Sequence, residues 1–362
     1  MSDVEKNIGT HKPEFDGEWV RLEDVCAKGK SNLRQKDLKN DGPYPVYGAP
    51  GIVGFSSDYQ NVDAYVAVVK DEAGVGRVMA CEPRSSVLGT MQALLPGKGT
   101  DRDYLLHLVR SMDLGKGFTG STIPHIYFKD YGKTLVRALS RGRQVEVANR
   151  LSGIDRLISQ GKQQLSFLDD LVKSQFVEMF GDPKSNPHGW DIGTIETIAA
   201  NLDAKRVPIT QSDREEGPYP YYGATGAVDS VSGYIFDERL LLVSEDGANL
   251  LARTYPIAFS IFGKTWVNNH AHVLKVQNEE TQVFLEKLIN MMDISEFITG
   301  STQPKLTQKQ LNQIPVMLPP MSLQRQFAEF VARVDKLGFD CCREIVCCGV
   351  LFSSMSASLL CT

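Results

Sequence analysis

The sequence predicts an α+β protein: two similar mixed α/β domains separated by long helices that pack as an antiparallel coiled coil with pseudo-twofold symmetry. The first observation behind this is long-range repetition. Gly42-Pro43-Tyr44-Pro45-Val46-Tyr47-Gly48-Ala49 returns as Gly217-Pro218-Tyr219-Pro220-Tyr221-Tyr222-Gly223-Ala224. Phe118-Thr119-Gly120-Ser121-Thr122 returns as Ile298-Thr299-Gly300-Ser301-Thr302, and Gln144 to Asp155 is echoed by Gln324 to Asp335. The offset is 175 residues for the first pair (42 to 217) and 180 for the others (120 to 300, 144 to 324). Such a period is too long for a solenoid and suits two copies of a whole domain. The second observation is a heptad seam lying between the copies.

The order of elements is the same in both copies. A tryptophan and a short helical stretch open each, at Trp19 and Trp190. The Pro-Tyr-x-x-Tyr-Gly-Ala segment reads as turns between short strands. The apolar runs Tyr65 to Val69 and Leu240 to Val243 read as buried strands, followed by charged, Gly-rich turns at Lys70 to Gly76 and Ser244 to Ala248. Further strands are predicted at Met91 to Leu95 and His272 to Val276. Tyr104, Leu105, Leu108, Val109 and Met112 then share one helical face, as do Phe284, Leu285, Leu288, Ile289 and Met292. Thr100 and Asn278 stand where those helices start. The offset grows along the chain, so the second copy carries small loop insertions.

The seam runs through Val147, Leu151, Ile154, Ile158, Leu165, Leu168, Val172 and Met179 in three- and four-residue steps, with charged and amide residues between. Gly181, Asp182 and Pro183 stop it. A helix from about Arg143 to Phe180 is on the order of 57 Å long at 1.5 Å per residue. Its partner is expected after Pro319-Pro320, where Gln324, Phe327, Ala328, Val331, Val334, Asp335 and Leu337 match Gln144, Val147, Ala148, Leu151, Ile154, Asp155 and Leu157. Beyond Gly338 the match decays into Cys, Ser and Gly, which predicts a short or poorly formed second helix. The expected layout is a tail over 1–18, a first domain over 19–142, the spacer helix over 143–183, a second domain over 184–318, and a C-terminal helix over 319–362 that degenerates after about 338.

With 362 residues, 42% hydrophobic and 23% charged, the chain has the composition of a globular protein with room for two cores. The net charge of −5 argues against a purely electrostatic nucleic-acid binder but not against local basic faces. Met1 to Trp19 is polar and no apolar run approaches the roughly 20 residues of a membrane span, so a cytoplasmic location with no membrane contact is expected. Of the 7 cysteines, Cys26 and Cys81 should pack as small hydrophobes. The C-terminal Cys341, Cys342, Cys347, Cys348 and Cys361 lack metal-ligand spacing.

Several motifs suggest chemistry and fail on context. Gly115-x-Gly117-x-x-Gly120 has dinucleotide-turn spacing, yet it follows a helix rather than a strand. Ala258-x-x-x-x-Gly263-Lys264-Thr265 fits a loose P-loop, but Phe259-Ser260-Ile261-Phe262 is too bulky to wrap a phosphate. His270 and His272 sit one apart on a predicted strand with no third ligand evident. There is no amino-methylation motif, nuclease-like carboxylate cluster or nucleophile elbow. No catalytic or metal-ligating residue is therefore predicted in this chain.

Taken together, the Tyr-Pro-x-Tyr-Gly-Ala turns, the Thr-Gly-Ser-Thr loops and the linking helix resemble the specificity subunits of type I restriction-modification systems. The helix ending Leu165-x-x-Leu168-Asp169-x-Leu171-Val172-Lys173-Ser174-Gln175-Phe176-x-Glu178-Met179-Phe180-Gly181-Asp182 is especially characteristic. The resemblance spans roughly Trp19 to Leu337. It implies two target-recognition domains, each reading one half of a bipartite site in double-stranded DNA. It also implies helices that dock methyltransferase subunits, with a restriction and translocase subunit completing the complex. S-adenosylmethionine, ATP and Mg would then belong to those partners, none to this chain. DNA suits paired reading domains because groove faces recur about every 34 Å. The alternative reading is a tandem-domain scaffold for two protein or glycan ligands.

Within that reading, Gly120-Ser121-Thr122 and Gly300-Ser301-Thr302 are the first DNA-facing candidates. Glycine permits close backbone approach, and hydroxyls and amides suit phosphate. Their neighbours His125, Gln303 and Lys305 follow, Gln being suited to adenine in the major groove. Lys70, Arg77 and Arg84 in the first domain, and Arg253 and Lys264 in the second, are further cationic candidates. Tyr44, Tyr47, Tyr219 and Tyr222 are expected to pack beneath their turns. Leu151, Ile154, Leu165 and Leu168 are assigned to the seam. Phe176, Met179 and Phe180 are expected to contact a methyltransferase from an apolar end that outruns the weak second helix.

Overall fold

The computed structural model describes residues 17–71, 74–116, 125–300 and 302–360. The chain forms two compact units, 1–162 with 342–362, and 163–341.

In the first unit, β1 (Glu18–Arg21), α1 (Leu22–Val25) and β2 (Cys26–Lys28) lead to the hairpin β3 (Tyr44–Gly48) and β4 (Gly51–Ser56). Then come β5 (Tyr65–Val69), β6 (Val78–Cys81), β7 (Ser86–Val87), β8 (Met91–Pro96), α2 (Arg102–Ser111), α3 (Phe128–Tyr131), β9 (Leu135–Ala138) and the start of α4 (Arg141–Phe180). The main sheet has the order β2-β8-β5-β6, and β7 pairs in parallel with β3. All five residues of β5 are buried because both faces of the sheet are covered. Their two-residue period sends Val66 and Val68 into a core with Tyr104, Leu105 and Leu108, and Tyr65, Ala67 and Val69 into another with Tyr47, Val87 and Met91.

The second unit repeats this plan. After α4 come β10 (Ile192–Thr194), α5 (Ile195–Ile198), β11 (Ala199–Asn201), β12 (Tyr219–Gly223), β13 (Gly226–Val231), β14 (Phe236–Asp237) and β15 (Leu240–Ser244). They are followed by α6 (Asn249–Ala252), β16 (Ala258–Ile261), β17 (Lys264–Val267), β18 (Ala271–Val276), α7 (Glu279–Met291), α8 (Gln308–Gln313), β19 (Pro315–Met317) and α9 (Met321–Ala357). The sheet order β11-β18-β15-β16 matches β2-β8-β5-β6. Leu241 and Val243 face one core while Leu240 and Leu242 face another. Five residues separate the offset at the central strands (65 to 240) from that at their partners (81 to 261), and α6 occupies this insertion. The first glycine of each repeated motif is fixed by close approach. A Cβ at Gly42 would stand 2.2 Å from the Ser56 carbonyl oxygen, and one at Gly217 would stand 2.3 Å from Ser232 Cα.

The two context failures hold. Ala258 to Thr265 is two strands of different sheets joined by a short turn, β16 paired to β15 through Phe259–Leu242 and Ser260–Leu241 and β17 paired to β12 and β14. Gly115 lies in a 3₁₀ turn after α2. Asp101, not Thr100, caps α2: its carboxylate accepts from the Asp103 and Tyr104 amides at 2.9 and 3.1 Å. Burial pushes the Cys26 and Cys81 thiols up to about 12.

Two helix expectations need correction. The C-terminal helix does not decay after Gly338; α9 continues to Ala357. Cys348, Phe352 and Met355 keep four- and three-residue steps, and with Leu359 they join the first unit's core beside Leu151 and Ile154. The thiols and small residues that look like a broken stripe are compact apolar groups that fit a helix interface. Nor is the end of α4 an exposed docking tip. Phe176 and Phe180 are fully buried in the second unit, their rings 5.5 and 4.8 Å from Phe284 and 5.5 and 5.3 Å from Phe327, and Met179 packs against the same core. In that unit the pairing is antiparallel. Leu165 and Leu168 lie opposite Gly338, while Phe176 and Phe180 meet Phe327.

Candidate functional site

In the second unit three repeated segments converge where the central strand β15 ends. Ser244 Oγ donates to the Ala224 carbonyl at 2.6 Å, tying in the Tyr-Gly-Ala turn of the β12–β13 hairpin. Asp246 bridges to Lys305, the Gly247 amide donates to Pro304 O at 3.0 Å, and the Leu306 amide donates to Glu245 O at 2.8 Å. The neck of the Thr-Gly-Ser loop is closed by two backbone bonds, Thr299 to Lys305 at 2.8 Å and the reverse at 2.7 Å. Gly300 takes a φ of +86°, and a Cβ there would stand 2.3 Å from the Gln303 carbonyl oxygen, so this tight turn needs glycine. The closure leaves Thr302, Gln303 and Lys305 exposed on a backbone held at several points.

Beneath this edge lies a charged cluster. His272, 1% exposed, sets Nδ1 2.6 Å from Asp203 Oδ2 and Nε2 2.8 Å from the Leu306 carbonyl. A carbonyl only accepts, so Nε2 carries a hydrogen. Asp203 also accepts from the Val273 amide at 2.8 Å, and Arg206 donates to Glu245 at 2.6 Å and to the Ala271 carbonyl at 2.8 Å. Lys305 Nζ meets Glu245 from the exposed side at 3.2 Å. Burial by itself raises the Asp203 carboxyl, yet the His272 hydrogen bond and charge, the Val273 amide and Arg206 hold it below the ordinary carboxylate value. Asp203, Glu245 and His272 lie close enough together to suggest a metal site. Their chemistry argues otherwise, because both ring nitrogens face acceptors and Arg206 and Lys305 already neutralise the carboxylates.

The first unit builds the same edge with other side chains. Ile126 N donates to Lys70 O at 3.0 Å, and His125 Nδ1 lies 2.5 Å from Asp71 Oδ1. The His125 ring stacks on Tyr127, with 6.2 Å between centroids. Arg77 Nη1 donates to the Ala49 carbonyl at 2.9 Å, where Ser244 serves in the second unit. Gly120, Ser121 and Thr122, and Ser301 in the other copy, lie outside the described residues.

Three cationic candidates stand elsewhere. Arg84 is exposed at the Cys81 end of the β5–β6 ladder, opposite the end that carries Lys70. Lys264 lies over the Tyr219 and Tyr234 rings at 5.9 and 4.8 Å. Arg253 is corrected to a structural role: it donates to the carbonyls of Leu250, Ile289 and Met292 at 3.1, 3.3 and 2.9 Å, closing the end of α7. The tyrosines pack, Tyr44 edge-on to Tyr59 at 4.8 Å and Tyr222 against Phe259 at 6.2 Å. Sequence reasoning missed Asp203, Arg206 and Glu245. Its one signal was the isolated His272, whose partners lie 69 residues before it and 34 after.

This two-unit fold is that of a type I restriction-modification specificity subunit. The crystal structure of such an S subunit from M. genitalium superposes with a TM-score of 0.63 at 16% identity, over 98% of this chain and 100% of that one. Residues 187–343 match the family model described as Type I restriction modification DNA specificity domain. A Haemophilus influenzae chain named as a type I restriction enzyme specificity subunit is 31% identical over 176 residues, 49% of this chain and 42% of that protein. The type I restriction enzyme MjaIX specificity subunit of Methanocaldococcus jannaschii is 21% identical over 276 residues, 66% of this chain and 63% of that protein. The chain thus covers less than two thirds of the length of either relative. Among the described residues, no helix is long and apolar enough to cross a membrane.

Proposed function

We propose that this chain is the non-catalytic specificity subunit of a type I restriction-modification complex and recognises a bipartite site in double-stranded DNA, one half per domain. The observation that carries this reading is the convergence of corresponding segments at the end of the central strand in both units, with different side chains on one backbone plan. These are Ala224, Glu245–Gly247 and Lys305–Leu306 in the second and Ala49, Lys70–Asp71 and His125–Ile126 in the first. Loop amides and hydroxyls around Thr299 to Lys305 suit phosphate and fix register, while side chains such as Gln303 offer base-edge hydrogen bonds. Different side chains at the two edges let the half-sites differ in sequence. The helical part docks methyltransferase subunits, which methylate adenine from S-adenosylmethionine. A restriction and translocase subunit supplies the ATP- and Mg-dependent steps.

The test is to map methylated adenines genome-wide in cells with and without this chain. A two-part motif that vanishes with the chain is expected. Exchanging residues 19–142 for those of another specificity subunit should change one half of that motif and leave the other intact. Loss of both halves, or no change, overturns the modular reading.

A further inference from the structure

We propose that His272 is a positioning residue of the second domain: its buried ring ties the Lys305–Leu306 end of the Thr299 loop to the sheet and so sets where Thr302, Gln303 and Lys305 stand. The ring sits in the middle of a chain of contacts. On one side Asp203 holds Nδ1 at 2.6 Å while receiving the Val273 amide at 2.8 Å, which anchors the pair to β18 itself. On the other side Nε2 reaches Leu306 O at 2.8 Å. The next residue back, Lys305, pairs through its backbone with Thr299, so a shift at Leu306 is passed across the neck of the loop. Leu306 is fully buried, and its carbonyl would have no water to replace a lost donor. A buried, doubly engaged imidazole is costly to retain unless geometry is what it supplies.

The first domain shows that the fold itself does not require this histidine. Gln92 faces Val68 across the sheet as His272 faces Val243, and its amide donates to the adjacent Ala93 carbonyl at 2.9 Å. The same register takes a glutamine in a sheet of the same order.

The inference rests on the loop being DNA-facing, and two variants separate its hinge contact from general stability. In the full chain with its methyltransferase partners, His272→Asn places an amide at the depth of Nδ1, keeping Asp203 and losing Leu306. His272→Gln places one at the depth of Nε2, keeping Leu306 and losing the bond to Asp203. Hydrogen exchange at the Lys305 and Leu306 amides should quicken about tenfold or more in His272→Asn and stay near wild type in His272→Gln. The methylated motif should lose base preference in one half only with His272→Asn and be unchanged with His272→Gln. Two variants that both behave as wild type, both fail, or fail in the reverse order overturn the proposal. If the wild-type complex marks no bipartite motif, the functional reading falls while the exchange result still stands on its own.

Discussion

Gln92 and His272 occupy one register in two sheets of the same order, and around them the domains diverge. The second domain sets Asp203, Glu245 and Lys305 where the first sets Lys30, Lys70 and His125. In the second, acid and base interlock beneath the loop, with Asp203 and His272 buried. In the first, among the described residues, the ion pair at this edge is Asp71 with His125, partly open to solvent, and Lys30 is exposed. Backbone hydrogen bonding repeats because it depends on strand order and burial pattern, which both copies preserve. Side-chain chemistry at the strand ends is free to differ, because solvent and local partners can satisfy many combinations there.

The largest effects should come from the buried contents of the second unit. Phe180→Ala should cost about 3–5 kcal/mol by thermal unfolding, because it empties a four-ring cluster. Leu157→Ala, on an exposed position of the same helix, should stay within about 0.5 kcal/mol. A small cost for Phe180 would reopen the docking-tip reading. Asp203→Ala should cost about 3 kcal/mol by leaving the buried His272 Nδ1 and the Val273 amide without their acceptor, against about 0.5 or less for Lys30→Ala at the matching position.

The same contrast has a pH signature. The folded Asp203 carboxyl lies below its unfolded value of about 3.9, so between the two the unfolded chain binds more protons and stability rises with pH. This contribution is complete above the unfolded value and is lost as acid protonates the folded group. Urea midpoints of wild type should therefore fall through this acid window, and Asp203→Asn should flatten that fall. An unchanged slope would sink the assignment.

Smaller differences should separate the helix starts. Asp101→Ala should cost about 1 kcal/mol, whereas Asn278→Ala should cost only a few tenths because Asn278 makes no side-chain capping bond. A similarly small effect is expected for His125→Gln, about 0.2–1 kcal/mol, as for a partly exposed pair. Each cost can be read from thermal midpoints.

Much of the frame was legible from local pattern. Tyr65 to Val69 is strand β5 as its apolar run implies, and the stripe from Val147 to Met179 lies on one continuous helix because burial demands a three- and four-residue period. The second helix misled because Cys and Ser break a hydrophobic pattern by name though not by size. Phe176 and Phe180 misled because an apolar end looks vacant until Phe284, from more than 100 residues later in the chain, is folded onto it.

Periodicity, turn chemistry and duplication are carried by neighbours a few residues apart or by direct repetition, so the chain alone specified the two domains, their main strands and the first long helix. The cluster of Asp203, Glu245, His272 and Lys305 draws on four separate segments, and the retirement of Arg253 to the end of α7 depends on a helix dozens of residues away. Such assignments emerge only on folding, because a charge's role is set by which partners and how much water surround it.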